Sequence, residues 1–312
     1  MGGGSGQRGL HLGGYVPNVT SAIDSINIST TGNANDFGNL ITASRNISGF
    51  GSSIRAFSVG GNTANAPSNT VVNTIEYVTF ASAGNAADFG NLTSVAQNRT
   101  TLSNSTRGIS AGGQDPGANN VIEYVTIAST GNAADFGDLT ANTSDRGGGV
   151  ASTTRGIILG GEVAPNVTNV MEYVTIATVG NATDFGDLSV ARKKSGGGAS
   201  ATRGVTGGGD DPDGKSNVID YITISSTGDA SDFGDLTSTR TPSNATSNSL
   251  RAAFSGGITP SFVNTIDYVT IASTGDAADF GDMTVARNEH ATASNGHGGL
   301  STTDFAQLSY LS

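Results

Sequence analysis

The sequence predicts an all-β fold, a six-bladed β-propeller with four strands in each blade. Three observations predict it: an octet of the type NAADFGDL recurs, its spacing is regular, and the segments between copies are rich in Val, Ile, Thr and Gly without helical periodicity. Four short strands in about 40–50 residues, repeated about four to eight times, is the arrangement of a β-propeller. The octets stand at 33–40, 85–92, 132–139, 181–188, 229–236 and 276–283.

The spacing of the octets gives the number of blades. The Asp before each Phe falls at 36, 88, 135, 184, 232 and 279, so successive copies are 52, 47, 49, 48 and 47 residues apart. A Gly-Gly pair and an acid-Tyr pair (Asp-Ser in the first copy) precede each octet in constant order. This order predicts six whole repeats and no second domain. The repeats lie near 1–47, 48–99, 100–147, 148–195, 196–243 and 244–288.

The fourth copy shows how one repeat divides into strands. The apolar run at 156–159 ends in Gly-Gly, which predicts a strand followed by a turn, and the Pro- and Asn-containing segment 162–169 predicts a loop. Residues 170–177, VMEYVTIA, are β-branched and aromatic and predict the best-defined strand. The turn residues at 178–181 then lead into a second strand of this hairpin at 182–191.

A small-residue segment supplies the innermost strand and the closure of the ring. SGGGAS at 195–200 suits the crowded axis of a propeller, where only small side chains fit. Residues 289–295 repeat this segment beyond the sixth octet, whereas the N-terminus offers only a truncated version. We therefore predict that 289–295 form a closing strand that completes the first blade. The propeller then covers 1–299, and 300–312 form a C-terminal tail.

Composition excludes several classes of function. The 312 residues include no Cys and three His, and they carry a net charge of −11 with only 15 Lys and Arg. This balance argues against nucleic-acid binding. No apolar run approaches the roughly 20 residues of a transmembrane helix, so we expect no membrane insertion. Without Cys there is no disulfide framework or thiolate metal site, and we expect no cofactor.

The octet contains the DFG of protein kinases, but its sixfold recurrence predicts a structural role. A kinase also needs an HRD-type loop and a strand Lys, whereas this chain has three Lys and no HRD. We predict that each Phe fills the gap between blades, that the following Gly lets a neighbour approach, and that the preceding Asp bonds turn amides. The predicted structural residues are Phe37, Phe89, Phe136, Phe185, Phe233 and Phe280.

Arginines open the second strands of all six repeats, and acids stand in all six third strands. Because second and third strands are neighbours, we expect these two sets to form ion pairs. The arginines are Arg8, Arg55, Arg107, Arg155, Arg203 and Arg251.

These motifs resemble the kelch repeat. Kelch repeats have a Gly pair closing the second strand, a Tyr late in the third, and a Trp with a following Leu in the fourth. Here Gly160-Gly161, Tyr173, Phe185 and Leu188 occupy those places, and Arg192 matches the Arg that follows. The sequence departs from the pattern because Phe replaces Trp in every copy. The repeat as a whole also resembles the regular Ser/Thr/Asn/Gly-rich repeats of virion proteins from tailed phages.

Few residues suggest chemistry. No Ser/His/Asp set is indicated, so we expect no catalytic residues, and octet acids spaced by three do not converge on one face of a strand to hold a metal. The loops after Gly-Gly vary in sequence and emerge on one rim, where recognition is usual. The candidate ligand-binding residues lie in one of these loops and are Asp210, Asp211 and Asp213.

The phage resemblance leads to the first functional hypothesis. It implies a non-enzymatic structural or adhesion component of a tailed-phage virion, in the tail, a fibre or a head appendage. Such a protein would be present in many copies in the extracellular particle, with other virion proteins and a host-surface glycan as partners. One alternative is a secreted or cell-surface carbohydrate-binding propeller, and another is a glycan-cleaving enzyme that uses paired carboxylates.

Overall fold

The chain folds into six four-stranded antiparallel blades, as predicted. The computed structural model describes residues 7–114, 116–145, 147–241 and 244–301, and these contain strands β1 to β30, numbered in chain order, and no helix. From the axis outwards, blade I consists of Ala291–Ser294 (β30), Arg8–Leu12 (β1), Ala22–Asn27 (β4) and Asn35–Asn39 (β5). Blade II consists of Ser48–Gly51 (β6), Arg55–Val59 (β7), Thr74–Thr79 (β8) and Ala87–Asn91 (β9). Blade III consists of Thr100–Ser103 (β10), Arg107–Ala111 (β11), Asn119–Thr126 (β12) and Ala134–Thr143 (β13).

The second half of the ring repeats this order. Blade IV consists of Gly149–Ala151 (β14), Arg155–Val163 (β15), Asn166–Thr175 (β16) and Thr183–Asp187 (β17). Blade V consists of Gly196–Ala199 (β18), Arg203–Gly207 (β19), Val218–Thr223 (β22) and Ser231–Asp235 (β23). Blade VI consists of Asn244–Ser247 (β24), Arg251–Ser255 (β25), Thr265–Thr270 (β28) and Ala278–Asp282 (β29). Three two-stranded hairpins lie in the loops after Gly-Gly: Tyr15–Val16 (β2) with Asn18–Val19 (β3), Asp210–Asp211 (β20) with Gly214–Lys215 (β21), and Ile258–Thr259 (β26) with Ser261–Phe262 (β27).

The ring is closed by the C-terminal strand. β30 pairs antiparallel with β1, which places Ala293 opposite Leu10 and Ala291 opposite Leu12. The inner strands then contact one another in an unbroken cycle, β30, β6, β10, β14, β18, β24 and back to β30. The prediction that 289–295 complete the first blade is therefore confirmed. The predicted tail at 300–312 lies outside the described residues from position 302 onward.

The inner strands need small residues because their backbones approach one another closely. A Cβ atom on Gly149 would lie 2.3 Å from the carbonyl oxygen of Thr101 in the preceding blade. A Cβ atom on Gly197 would lie 2.8 Å from the carbonyl oxygen of Gly149. Larger side chains at these positions would push the blades away from the axis.

A β-bulge in each fourth strand directs the octet Phe into the space between blades. In blade III the register leaves Phe136 unpaired between Asp135 and Gly137, and such a bulge re-aims the side chain at that point. Phe136 shares a buried cluster with Ile158 and Val174 of blade IV. The octet phenylalanines are all 2–3% exposed: Phe37, Phe89, Phe136, Phe185, Phe233 and Phe280.

The first residue of each octet, rather than the Asp before the Phe, ties neighbouring blades together. In the joint between blades II and III, Asn91 N donates to Asn132 Oδ1 at 3.0 Å. Phe89 O accepts from Gly131 N and Asn91 O accepts from Ala133 N, both at 2.8 Å. The same three bonds recur at all six joints, including the one between blades VI and I. We call this contact the outer clasp.

The loop predicted at 162–169 is mostly strand. β15 continues to Val163 and β16 begins at Asn166, so the two strands form one long hairpin in blade IV. The Pro that suggested a loop follows a cis peptide bond at Ala164–Pro165, in the two-residue connection between the strands.

Candidate binding site at the axial channel

Five residues with positive φ surround one end of the axial channel. Each stands nine residues after an octet Phe and shortly before an inner strand, on the face that carries the Gly-Gly loops. Their φ values lie between 42° and 57°. We call them the mouth residues: Asn46, Asn98, Asp145, Lys194 and Glu289.

The channel behind the mouth is a small cavity closed at its far end. The space available to water-sized molecules is about 140 Å³ and is lined by the inner strands and the mouth residues. The segment after β30 crosses the opposite end. There, His297 Nε2 lies 2.8 Å from Gly51 O and 3.3 Å from Ser103 Oγ, and Gly298 N donates to Ala199 O at 2.9 Å. The cavity is therefore a blind funnel that opens on the face of the variable loops.

The mouth carries both signs of charge. Asp145 accepts from Asn98 Nδ2 at 2.7 Å, and its carboxylate lies 3.2 Å from Lys194 Nζ. Glu289 lies 3.4 Å from Arg45 Nη1. Burial raises the pKa of Glu289, the charges of Arg45 and Lys194 oppose this rise, and the charge of Asp145 adds to it. The carboxylates and cations of different blades therefore interact electrostatically around one opening.

The predicted ligand-binding residues lie beside the mouth but do not enter it. Asp210 and Asp211 form β20, and Asp211 Oδ1 accepts from Asp213 N at 2.9 Å within the hairpin. Asp210 O accepts from the backbone of Lys193 at 2.9 Å, which connects the hairpin to the residue next to Lys194. Ligand binding by these three acids stays a prediction. Among the described residues, no group of three His, Asp or Glu is placed to hold a metal ion.

The arginines that open the second strands do not pair with the third-strand acids as expected. Arg107 lies over the Tyr124 ring, 4.6 Å from its centroid, and donates to Ile176 O of the next blade at 2.9 Å. The reason is register, because Glu123 lies opposite Ser110, three residues further along the strand.

Among the described residues, four third-strand acids instead pair with arginines from the loop that follows the preceding blade's fourth strand. These pairs are almost fully buried and join neighbouring blades. They are Arg99 with Glu123, Arg192 with Asp220, Arg240 with Asp267, and Arg287 with Asp24.

A buried Ser–His cluster lies at the joint where the chain ends meet. Ser255 Oγ lies 3.0 Å from His11 Nδ1 and 3.1 Å from His290 Nε2. Burial, followed by the charge of Arg287, lowers the pKa of His11 to about 3, and the same causes lower the pKa of His290. All three side chains are at most 1% exposed, so no substrate can reach them. The cluster belongs to the packing of the ring.

Sequence reasoning missed the mouth residues. The available signal was the position nine after each octet Phe, which is Asn twice and then Asp, Lys, Pro and Glu although the octet itself recurs almost unchanged. Its meaning depends on the backbone conformation, which the repeat pattern does not reveal.

Comparison of the chain with known protein families and with curated protein sequences finds no match. Among the described residues, no helix is long and apolar enough to cross a bilayer.

Proposed function

We propose that this protein is a non-enzymatic structural or adhesion component of a tailed-phage virion, where it serves as a binding and assembly scaffold. The observation that carries the binding role is the mouth, where charged side chains from several blades converge on an open, loop-bearing face of a closed ring. Rigid scaffolds with variable loops on one face are common recognition devices.

Two features of the sequence support the virion setting. The kelch-like order of Gly-Gly, Tyr, Phe and Leu accompanies a Ser/Thr/Asn/Gly-rich repeat similar to those of phage virion proteins. Charged residues make up only 13% of the chain, so the surface is largely polar and uncharged. Such a surface suits an extracellular particle that is assembled in many copies.

The pairing of the carboxylates at the mouth favours binding over glycan cleavage. A glycosidase needs two carboxyl groups held about 5–9.5 Å apart that act as free acid and base. Asp145 is engaged by Asn98 and Lys194, and Glu289 is engaged by Arg45. A carbohydrate-binding propeller outside a virion is the second candidate, because the mouth combines donors and acceptors.

Localisation tests the virion role. Antibodies raised against the purified ring would be applied to density-gradient-purified phage particles from cells that carry the gene, with immunogold microscopy and quantitative mass spectrometry as readouts. We expect the chain to sediment with intact particles in a fixed copy number. The antibodies should label the tail, the fibres or the head appendages. If the chain is found only in the soluble fraction, the virion role is contradicted and the carbohydrate-binding propeller outside a virion becomes the remaining candidate.

A further inference from the structure

Two of the mouth residues occupy a backbone conformation that is unfavourable for their type. Positive φ is tolerated by Gly, Asn and Asp, whereas other residues adopt it at a cost. Asn46, Asn98 and Asp145 fit this rule, but Lys194 has φ 57° and Glu289 has φ 56°. Non-Gly residues held in this region are concentrated at functional sites. An Asn at either position would relieve the strain, so the charged side chains point to a role at the mouth.

The charges at the mouth favour a neutral ligand. The negative charges of Asp145 and Glu289 disfavour binding of a phosphate or other anion. The positive charges of Lys194 and Arg45 disfavour binding of a metal cation. A polyhydroxylated molecule avoids both penalties, because each hydroxyl group donates one hydrogen bond and accepts others. Carboxylates accept from hydroxyl hydrogens, ammonium groups donate to hydroxyl oxygens, and carboxamides such as that of Asn46 do both.

The funnel below the mouth continues this polar surface. Each inner strand pairs with only one neighbour in its sheet, so its other edge faces the axis with backbone donors and acceptors. Side-chain hydroxyls use some of these groups: Thr101 Oγ1 donates to Gly49 O at 2.7 Å, and Thr292 Oγ1 donates to Ala245 O at 2.8 Å. The funnel is therefore lined by backbone amide groups and side-chain hydroxyls, which present a polar surface to a ligand.

Shape limits what enters. The cavity of about 140 Å³ is close to the roughly 150 Å³ that holds one six-membered aromatic ring in an engineered cavity. His297, Gly298 and Gly299 block the far end, so a chain of sugars cannot thread through. The funnel therefore admits at most one small ring, from the loop face, and the rest of a longer ligand would stay outside.

We propose that the axial mouth is a carbohydrate-binding site that takes the neutral terminal monosaccharide of a glycan, end-on. Lys194 and Glu289 determine specificity by hydrogen bonding to hydroxyl groups of this sugar, and Asp145, Asn98 and Asn46 complete the ring of partners. This inference rests on the adhesion part of the proposed function. It is independent of whether the scaffold resides in a virion.

The test measures glycan binding by the full 312-residue chain and three variants. A glycan array identifies ligands, and titration calorimetry with the best oligosaccharide gives affinities. Lys194→Asn and Glu289→Asn remove the charged groups while placing a tolerated residue at positive φ, so both variants are expected to melt at or above the temperature of the parent. Lys215→Asn is the control, because Lys215 lies exposed at the end of β21, outside the channel lining.

We expect array signals for glycans that share a neutral terminal sugar. Lys194→Asn and Glu289→Asn should each weaken binding about tenfold or more, the loss expected when a charged hydrogen-bonding group is removed, and Lys215→Asn should leave it unchanged. The proposal is overturned if no glycan binds, if both mouth variants keep the parental affinity, or if only calcium chloride or inorganic phosphate binds. Particle association without glycan binding would support the virion role and contradict the carbohydrate site. Glycan binding without particle association would support the carbohydrate site and contradict the virion role.

Discussion

Side-chain length and position are matched in the buried ion pairs between blades. Where the third-strand acid is Asp, its Arg lies two residues before the position nine after the octet Phe, as in Arg192 and Arg240. Where the acid is Glu123, its partner Arg99 lies one residue after that position. The longer side chain of Glu is therefore paired with an arginine that lies later in the loop. Two residues therefore vary together to keep one contact across the joint.

The joint between blades I and II departs from this rule. Ser44 and Ile47 occupy the two places from which arginines reach in at the other joints, and the nearby Arg45 turns to Glu289. Glu76 is left with the backbone N–H of Ile41, at 2.9 Å. Burial raises the pKa of Glu76, although hydrogen bonds from the backbone oppose the rise.

Glu76→Gln is therefore expected to stabilise the protein at neutral pH, because it removes a buried charge and keeps an acceptor for Ile41 N. Glu123→Gln is the matched control and should destabilise the protein by about 3–5 kcal/mol, since it leaves the Arg99 guanidinium buried without its counter-charge. Thermal and urea unfolding of both variants measure the difference. Equal destabilisation by both changes would mean that Glu76 has a charged partner in solution.

The outer clasp protects the edges of the sheets. An unpaired outer strand is a template for association with another chain. In each blade the carbonyl groups of the octet Phe and of the residue two positions later bond to the next blade's turn, so part of the outer edge is already used. Close approach requires Gly in the octet: a Cβ atom on Gly90 would lie 2.3 Å from Gly131 O, and Gly90 has φ 151°.

This geometry gives a matched pair of substitutions within one clasp. Gly90→Ala is expected to destabilise the protein by more than about 1 kcal/mol, because its φ is unfavourable for Ala and the new methyl group meets the neighbouring blade. Gly131→Ala should change stability little, since a Cβ atom there meets nothing within 4 Å and the φ of Gly131 lies outside the range of about +20° to +160° that disfavours Ala. Urea unfolding provides the comparison. Similar losses for both variants would show that the clasp is not the origin of the effect.

The features that the sequence predicts correctly are those that depend on periodicity. The regular octet, the Gly-Gly pairs and the extra copy at 289–295 were sufficient for the blade count, the order of strands and the closure, because these depend on periodicity. The long hairpin ending at Val163 and Asn166 was missed because Pro165 suggested a loop. The pairing of Arg107 was predicted wrongly because strand adjacency does not fix register. The mouth was missed because its residues converge only after the ring has formed.

Two fully buried histidines and one half-buried histidine make the stability of the whole molecule depend on pH. Burial lowers the pKa of His11, His290 and His297 in the folded protein, whereas an unfolded His titrates near pH 6.5. Below about pH 6.5 the unfolded chain therefore binds more protons than the folded one, and stability falls as the pH falls. Glu76 and Glu289 have raised pKa values and act in the opposite direction, since their contribution is lost as the pH rises.

We expect the free energy of unfolding to decrease between about pH 7.5 and about pH 5.5, with a slope that approaches the uptake of three protons. Urea unfolding at several pH values measures this slope. His297→Asn should reduce the slope by about one proton while the decrease from the other two histidines remains. A pH-independent parent would contradict the lowered pKa values of these histidines.

One strand from the C-terminal end closes six blades into a single cooperative ring, and this ring holds the mouth residues together. The most direct test compares the unfolding of a chain that ends at Ser301 with that of a chain that ends at Asn288, which lacks β30 and the segment that closes the channel. We expect one cooperative transition for the longer chain, and loss of that transition or early melting in the shorter one. A shorter chain that unfolds with the same midpoint and cooperativity as the longer one would contradict it.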